Sequence, residues 1–322
     1  MHIYPPEQTA RNGFHGYRYW VDAPCKLTDE ARADAVLSRY PVHVFLPRNR
    51  PAAETPILLA LQGMANPWYE NLFILPTLLS RGIAVVFVEQ PFAGERGFAP
   101  DKPGDMLEQL VRLPNPTIEI DDRLMERFMH TISRDLRIAL DIARENHGLT
   151  SDKVALFGIS MGALSSSFAF MHDGLGQRLL CTIGMPDLYW FARSFRGLKG
   201  RMAAFVDACI PSFAVPDNLM PYLMPYRNFI RILGVLTYGG DPAVAANPMT
   251  WIDRVGPDRR VRILAGSEDP LLNHKDAIAC AERFPDGRAY IVPGMGHGGE
   301  EGGFTHHVGN FLATQLGDWS VR

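Results

Sequence analysis

The stretch FGISMGALS, residues 157–165, places a serine between two glycines where a short apolar run gives way to small residues. The apolar run is typical of a strand, and the small residues that follow it are typical of a closely packed helix. Gly158 and Gly162 could serve that packing alone. They also leave room around Ser160 if the serine is a nucleophile held on a sharp turn between strand and helix. The rest of the chain has to decide between these two interpretations.

Other segments on both sides of this junction resemble strands and helices that alternate along the chain. The predicted strands are 42–47, 56–63, 82–91, 153–158, 178–187, 260–269 and 289–294, with 17–21 as a possible edge strand. The predicted helices are 68–82, 121–148 and 303–316, and residues 92–119 read as a long loop. Such alternation predicts an α/β protein with a mostly parallel central sheet and helices on both faces.

One segment interrupts the alternation. Residues 188–250 lie between two predicted strands, are longer than an ordinary connection and are rich in aromatic residues, Met and Pro. We therefore expect a core formed by 1–187 and 251–322, with 188–250 as an inserted helical lid. Its aromatic side chains include Tyr189, Trp190, Phe191, Phe195, Phe205, Phe213, Tyr222, Tyr226 and Phe229.

A serine nucleophile needs a base, and the base needs an acid. His297 lies in a glycine-rich loop directly after a predicted strand, and Asp269 lies just after the preceding one. Because the carboxyl ends of parallel strands meet at one edge of the sheet, both can reach Ser160. Glu268 and Asp187 remain alternatives for the acid, and Asp269 could also be only a helix cap.

The developing oxyanion of acyl transfer needs two N–H donors. The backbone N–H groups of Met161, directly after the serine, and Met64, after the strand 56–63, are the predicted donors. No cofactor is predicted. A rival interpretation is a metal site, for which His297, Glu300, Glu301, His306 and His307 are possible ligands, but their spacing matches no H-E-x-x-H type motif.

Composition excludes several function classes. The chain has 322 residues, 47% of them hydrophobic, and a net charge of −3, which gives no sign of a nucleic-acid partner. No secretory signal or stretch long enough for stable membrane insertion is visible. The cysteines are scattered at Cys25, Cys181, Cys209 and Cys280. The sequence thus predicts a cytoplasmic protein with free thiols and leaves the oligomeric state open.

Taken together, these residues resemble the α/β-hydrolase superfamily, in which nucleophile, acid and histidine follow in the order of Ser160, Asp269 and His297. The chain reads Gln62-Gly63 where many members read His-Gly. The resemblance implies a serine hydrolase, carboxylesterase-like, that cleaves a small ester, thioester or amide with an apolar acyl part. An acyltransferase with the same three residues, or a ligand receptor without catalysis, is the alternative.

Overall fold

The computed structural model describes residues 1–11, 13–27, 31–63, 68–96, 124–188, 245–297 and 303–320. The predicted oxyanion donor Met64 and nearly all of the predicted lid at 188–250 lie outside these residues. So does most of the predicted loop at 92–119. These expectations therefore remain predictions.

The described residues form ten strands in one sheet. They are β1 His2–Ile3, β2 Glu7–Arg11, β3 Phe14–Asp22, β4 Arg39–Phe45, β5 Ile57–Leu61, β6 Ala84–Val88, β7 Val154–Ile159, β8 Arg178–Thr182, β9 Arg260–Gly266 and β10 Asp286–Val292. The spatial order is β1-β3-β4-β6-β5-β7-β8-β9-β10, and β2 pairs with β3. Strands β5 to β10 are mutually parallel, whereas β1 to β4 pair antiparallel and join the parallel part through β6.

The predicted fold class is confirmed, with corrections at the N-terminal end. The edge strand predicted at 17–21 is the centre of the longer β3, which lies between β4 on one side and β1 and β2 on the other. Polar and aromatic residues are mixed there without an apolar run, so the local signal for a strand is weak. β8 and β9 also end earlier than predicted, at Thr182 and Gly266, because the residues beyond them form the loops of the site.

Six α-helices accompany the sheet in the described part of the chain. They are α1 Ala31–Leu37, α2 Leu75–Leu79, α3 Leu124–His147, α4 Met161–His172, α5 His274–Ala281 and α6 Phe304–Gln315. Short 3₁₀ turns cover Ala52–Glu54, Trp68–Ile74, Gly94–Arg96, Pro248–Arg254 and Gly317–Trp319. The single helix predicted over 68–82 is therefore a 3₁₀ turn followed by α2. Pro76, in the first turn of α2, cannot donate a backbone hydrogen bond and suits a new helix start.

Two hydrophobic clusters lie on the two faces of the sheet. Side chains of α3, α4 and α5 pack on one face, and those of α2 and α6 pack on the other. Every residue of β5, β6 and β7 is buried, as expected for parallel strands covered on both sides. The buried stripe of α3 follows helical spacing: Phe128, Ile132, Leu136, Leu140 and Ala143. This packing fixes β7 in the middle of the sheet, where its carboxyl end carries the candidate site.

Candidate active site

Ser160 lies between β7 and α4 with an unusual backbone conformation. Its φ is 51° and its ψ is −114°, outside the regions that a residue with a Cβ ordinarily adopts. Such strain persists only where the surroundings hold it. Here the Ser160 N–H donates to the carbonyl oxygen of Thr182 in the neighbouring β8, at 2.9 Å. The serine is therefore held on a sharp turn at the carboxyl end of its strand.

The two flanking glycines are required by close backbone approach. A Cβ on Gly158 would lie 2.1 Å from the carbonyl oxygen of Gly162, and a Cβ on Gly162 would lie 2.4 Å from that of Gln62. Gly184, in the loop after β8, also approaches this turn closely, because a Cβ on it would lie 2.6 Å from the Ser160 carbonyl oxygen. Helix packing and exposure of the serine thus depend on the same glycines, so the two interpretations of the motif are compatible.

His297 meets Ser160 from the loop after β10. Its Nε2 lies 3.1 Å from Ser160 Oγ, and 19% of its side chain is exposed. This loop packs tightly on the end of β9, where a Cβ on Gly266 would lie 1.8 Å from the Met295 carbonyl oxygen. The contact between His297 and Ser160 joins residues that are 137 positions apart in the chain. The packed loop thereby sets the histidine above the strained turn.

Asp269 lies on the far side of the His297 ring. Its Oδ2 and Oδ1 are 2.8 and 3.0 Å from His297 Nδ1. Oδ1 also accepts the backbone N–H groups of Leu271 and Leu272, both at 2.8 Å, and the side chain is fully buried. Asp269 is therefore not a helix cap, since α5 begins at His274 with Asn273 as its N-cap; its backbone contacts hold the bend at 270–272, and its other contact is with the histidine. Two backbone N–H groups and His297 Nδ1 thus converge on this one carboxylate.

The alternative acids have other surroundings. Glu268 is exposed, and its Oε1 accepts a hydrogen bond from the hydroxyl of Ser267 at 3.2 Å. Asp187 Oδ1 accepts a hydrogen bond from Asn247 Nδ2 at 3.2 Å. The oxygen atoms facing His297 Nδ1 come from Asp269.

This arrangement determines the histidine tautomer. An ionised carboxylate only accepts hydrogen bonds, so the proton of a neutral His297 belongs on Nδ1. The Nε2 lone pair then faces Ser160 Oγ and can accept its proton. The three side chains can therefore carry a proton from the serine hydroxyl to the imidazole while Asp269 stabilises the resulting cation.

One predicted oxyanion donor can be located. Met161 is the first residue of α4, where backbone N–H groups lack partners within the helix and the helix dipole favours negative charge. Gly63, directly before Met64, borders the serine, because a Cβ on Gly63 would lie 3.8 Å from Ser160 Cβ. The backbone leading to the second predicted donor thus runs beside the nucleophile.

Sequence reasoning missed two polar residues behind the site. Gln90 follows β6, is fully buried and contacts the backbone of Gln62. Ser165 was interpreted from the sequence only as a small residue of a helix. Its hydroxyl donates to Gln90 Oε1 at 3.1 Å. A buried glutamine at the carboxyl end of an apolar strand was the available signal, because burial of an amide requires partners.

The described residues show no grouping of three or more His, Cys, Asp or Glu side chains suited to hold a metal ion. Glu300 and Glu301 lie outside them. Cys25, Cys181 and Cys280 are free and buried, and burial raises the pKa of each thiol. No helix in the described ranges is long and apolar enough to span a bilayer.

Comparison with solved structures identifies the fold. An esterase of Pyrococcus furiosus superposes with a TM-score of 0.58 at 15% identity, covering 98% of this chain and 97% of the other. A thermostable carboxyl esterase of Bacillus coagulans, solved with glycerol, gives 0.58 at 13% identity, covering 88% and 95%. A Thermus thermophilus protein gives 0.52 at 19% identity, covering 99% and 98%. No family model and no curated protein matches the sequence.

The parallel strands, the helices on both faces and these superpositions define the class: the chain has the α/β-hydrolase fold, as its sequence predicted. Since many functions share one fold, activity has to be argued from the site.

Proposed function

We propose that this protein is a serine hydrolase that cleaves carboxylic ester bonds, or the related thioester or amide bonds, through an acyl-enzyme on Ser160. One observation carries the proposal: His297 is hydrogen-bonded to Ser160 Oγ through Nε2 and to Asp269 through Nδ1. A nucleophile, a base and a group that orients the base are the minimum set for acyl transfer by serine.

In the acylation step, Ser160 Oγ attacks the ester carbonyl carbon while His297 Nε2 takes the hydroxyl proton. The carbonyl oxygen becomes an oxyanion, which the N–H of Met161 and the proposed N–H of Met64 stabilise. The tetrahedral intermediate collapses when the alkoxide leaves and accepts the proton from His297. Asp269 holds the imidazole in place and stabilises its cation throughout.

Deacylation repeats these steps with water. His297 Nε2 removes a proton from the water, the resulting hydroxide attacks the acyl carbon, and Ser160 leaves with the proton returned by histidine. The products are a carboxylic acid and the free enzyme, so no cofactor is needed for the cycle.

We further propose that the segment 188–250 covers the site and contacts an apolar acyl group. Its many aromatic residues support this, because they are more than a solvated segment would carry. Truncating them singly to Ala should change the preference between short and long acyl chains, by about 1–3 kcal/mol in the specificity ratio. Loss of thermal stability with an unchanged ranking of substrates would instead mean that they form only the core of the segment.

A fluorophosphonate probe tests the main proposal. We expect one adduct, mapped by mass spectrometry to Ser160, in protein that hydrolyses p-nitrophenyl esters. Ser160→Ala should lower turnover by a factor on the order of 10⁴ or more. The matched control is Ser166→Ala. Ser166 is buried on α4, where its hydroxyl donates to the carbonyl oxygen of Phe157, and the variant should label normally at Ser160. Adducts on another serine of active protein would contradict the assignment.

The acceptor in deacylation needs a separate measurement. The same three residues can transfer the acyl group to an alcohol, so the partition of the acyl-enzyme between water and added alcohol should be measured. We expect the free acid to dominate at moderate alcohol concentrations. Transfer products in excess would indicate an acyltransferase, and ester binding with no turnover and no adduct would indicate a receptor.

A further inference from the structure

Two glutamines join the carboxyl ends of the adjacent parallel strands β5 and β6 behind the site. Gln62 follows β5 and Gln90 lies two residues after β6, and both are at most 1% exposed. Gln90 Nε2 donates to the carbonyl oxygen of Gln62 at 2.5 Å. Turning the Gln62 amide so that its nitrogen faces Val88 satisfies both of its polar atoms: it then donates to the carbonyl oxygen of Val88 and accepts from the Gln90 N–H, each at 3.2 Å. Each side chain thus fixes the backbone of the other.

The Gln90 carboxamide is itself anchored to the helix that begins after the nucleophile. The hydroxyl of Ser165 in α4 lies 3.1 Å from Gln90 Oε1 and 3.0 Å from the carbonyl oxygen of Met161. Its single proton can serve either acceptor. Ser165 is fully buried, so no water competes for these contacts. The amide plane of Gln90, and hence the direction of its N–H bonds, is therefore set relative to α4.

The Gln62 carbonyl is confined from a second side by α4. The backbone of Gly162 approaches it so closely that a Cβ there would lie 2.4 Å from the oxygen. A peptide group is planar, so the orientation of the Gln62 carbonyl fixes that of the Gly63 N–H and the direction in which the chain continues. Gly63 lies beside Ser160 and directly precedes Met64 in the sequence.

We propose that Gln90 is a positioning residue for the oxyanion site, acting through the Gln62 carbonyl to hold the Gly63 backbone beside Ser160. The proposal rests on the proposed serine hydrolase function. Such a role would explain why the Gln90 amide is buried although it contacts none of Ser160, His297 and Asp269 in the described contacts. Displacement of an N–H donor by a fraction of an ångström weakens oxyanion stabilisation without greatly changing the binding of the uncharged ester.

Gln90→Met tests this, because methionine has a similar length but cannot donate to Gln62. Three quantities should be measured: kcat and KM for a p-nitrophenyl ester, and Ki for an alkyl trifluoromethyl ketone. With this inhibitor Ser160 Oγ adds to the carbonyl carbon, His297 takes the proton and the ketone oxygen becomes the oxyanion. We expect kcat to fall about 10–100-fold, less than the loss of a whole donor, with KM nearly unchanged. Ki should rise by the same factor as kcat falls.

Ser167→Ala is the matched control. This serine is also buried on α4, and its hydroxyl donates to Ala163 within the helix, at 2.6 Å. We expect its kcat and Ki to stay near wild type even where its melting temperature falls. If Gln90→Met shows only the lowered melting temperature of this control, the positioning role is wrong.

Ser165→Ala keeps the inference testable if Gln90→Met does not fold. Removing this hydroxyl releases one side of the Gln90 amide, so kcat should fall by about 3–10-fold and Ki should rise in parallel. Values equal to those of Ser167→Ala would overturn the proposal. Failure of the proposed function has a different result, because then Ser160→Ala retains activity and the wild-type protein gives no ketone adduct on Ser160.

Discussion

His297 Nδ1 lies 2.8 Å from Asp269 Oδ2, although the two residues are 28 positions apart in the chain, with α5 and β10 between them. The same carboxylate accepts the N–H groups of Leu271 and Leu272. The buried Asp269 side chain therefore orients the proposed base and also holds the bend of its own loop at 270–272. This double role allows the two effects of substituting Asp269 to be separated.

Asp269→Asn should nearly preserve the fold and abolish most of the activity. The amide oxygen of asparagine can still accept the two backbone N–H groups, but its NH₂ group faces His297 and favours the wrong tautomer. Turnover of a p-nitrophenyl ester should fall on the order of 10³–10⁴-fold. The melting temperature should change little.

Two further variants identify the acid. Asp187→Asn and Glu268→Gln should both retain turnover near wild type, since their carboxylates have other partners. A near-inactive Asp187→Asn together with an active Asp269→Asn would move the acid role to the loop after β8.

Gly158→Ala should prevent formation of the site. The added methyl group would lie 2.1 Å from the Gly162 carbonyl oxygen, so α4 has to move away from β7. We expect destabilisation of about 3 kcal/mol or more by urea unfolding, in the range of severe overpacking, and loss of fluorophosphonate labelling. Gly317→Ala meets no atom within 4 Å and should stay within about 0.5 kcal/mol of wild type. Equal stability of the two variants would contradict the packing described here.

Glu89→Gln should stabilise the protein increasingly as pH rises. Burial, together with the nearby Glu95, raises the pKa of Glu89 from 4.5 to about 8. Between these two values the unfolded chain has released a proton that the folded protein keeps, so wild-type stability falls with pH, by about 1.4 kcal/mol per unit for full linkage. Below pH 4.5 the two proteins should differ least.

Melting temperatures at pH 5, 6.5 and 8 measure this effect. The exposed Glu282 provides the control, because Glu282→Gln changes a solvated side chain and should shift stability little. A constant difference between Glu89→Gln and wild type across the series would show that Glu89 does not retain its proton on folding.

Asp135→Ala should be strongly destabilising. Asp135 Oδ2 lies 2.7 Å from Arg96 NH1, and both side chains are fully buried. Removing the carboxylate leaves a buried guanidinium without its counter-charge, which should cost about 3–5 kcal/mol in urea unfolding. Replacing both partners with apolar residues, as in Arg96→Met with Asp135→Leu, should recover much of that loss. A single-variant cost below about 1 kcal/mol would contradict this.

Much of the molecule follows from local sequence. Apolar runs at β5, β6 and β7 and the helical stripe of α3 each show their periodicity within a few residues, so the fold class could be predicted. Ser160 was identifiable because its two glycines and the change from strand to helix lie within nine residues. His297 and Asp269 could be proposed because each follows a strand, and parallel strands place their carboxyl ends together.

Only the tertiary structure decided which atoms meet. The sequence favoured Asp269 but left Glu268 and Asp187 open, because all three lie at the ends of predicted strands and the direction of each side chain depends on how its loop packs. It gave no reason for Gln90, whose partners are 28 and 75 residues away along the chain. Local pattern determines which segments form strands and helices. Contacts between distant segments depend on how the sheet and helices pack, and no single segment encodes them.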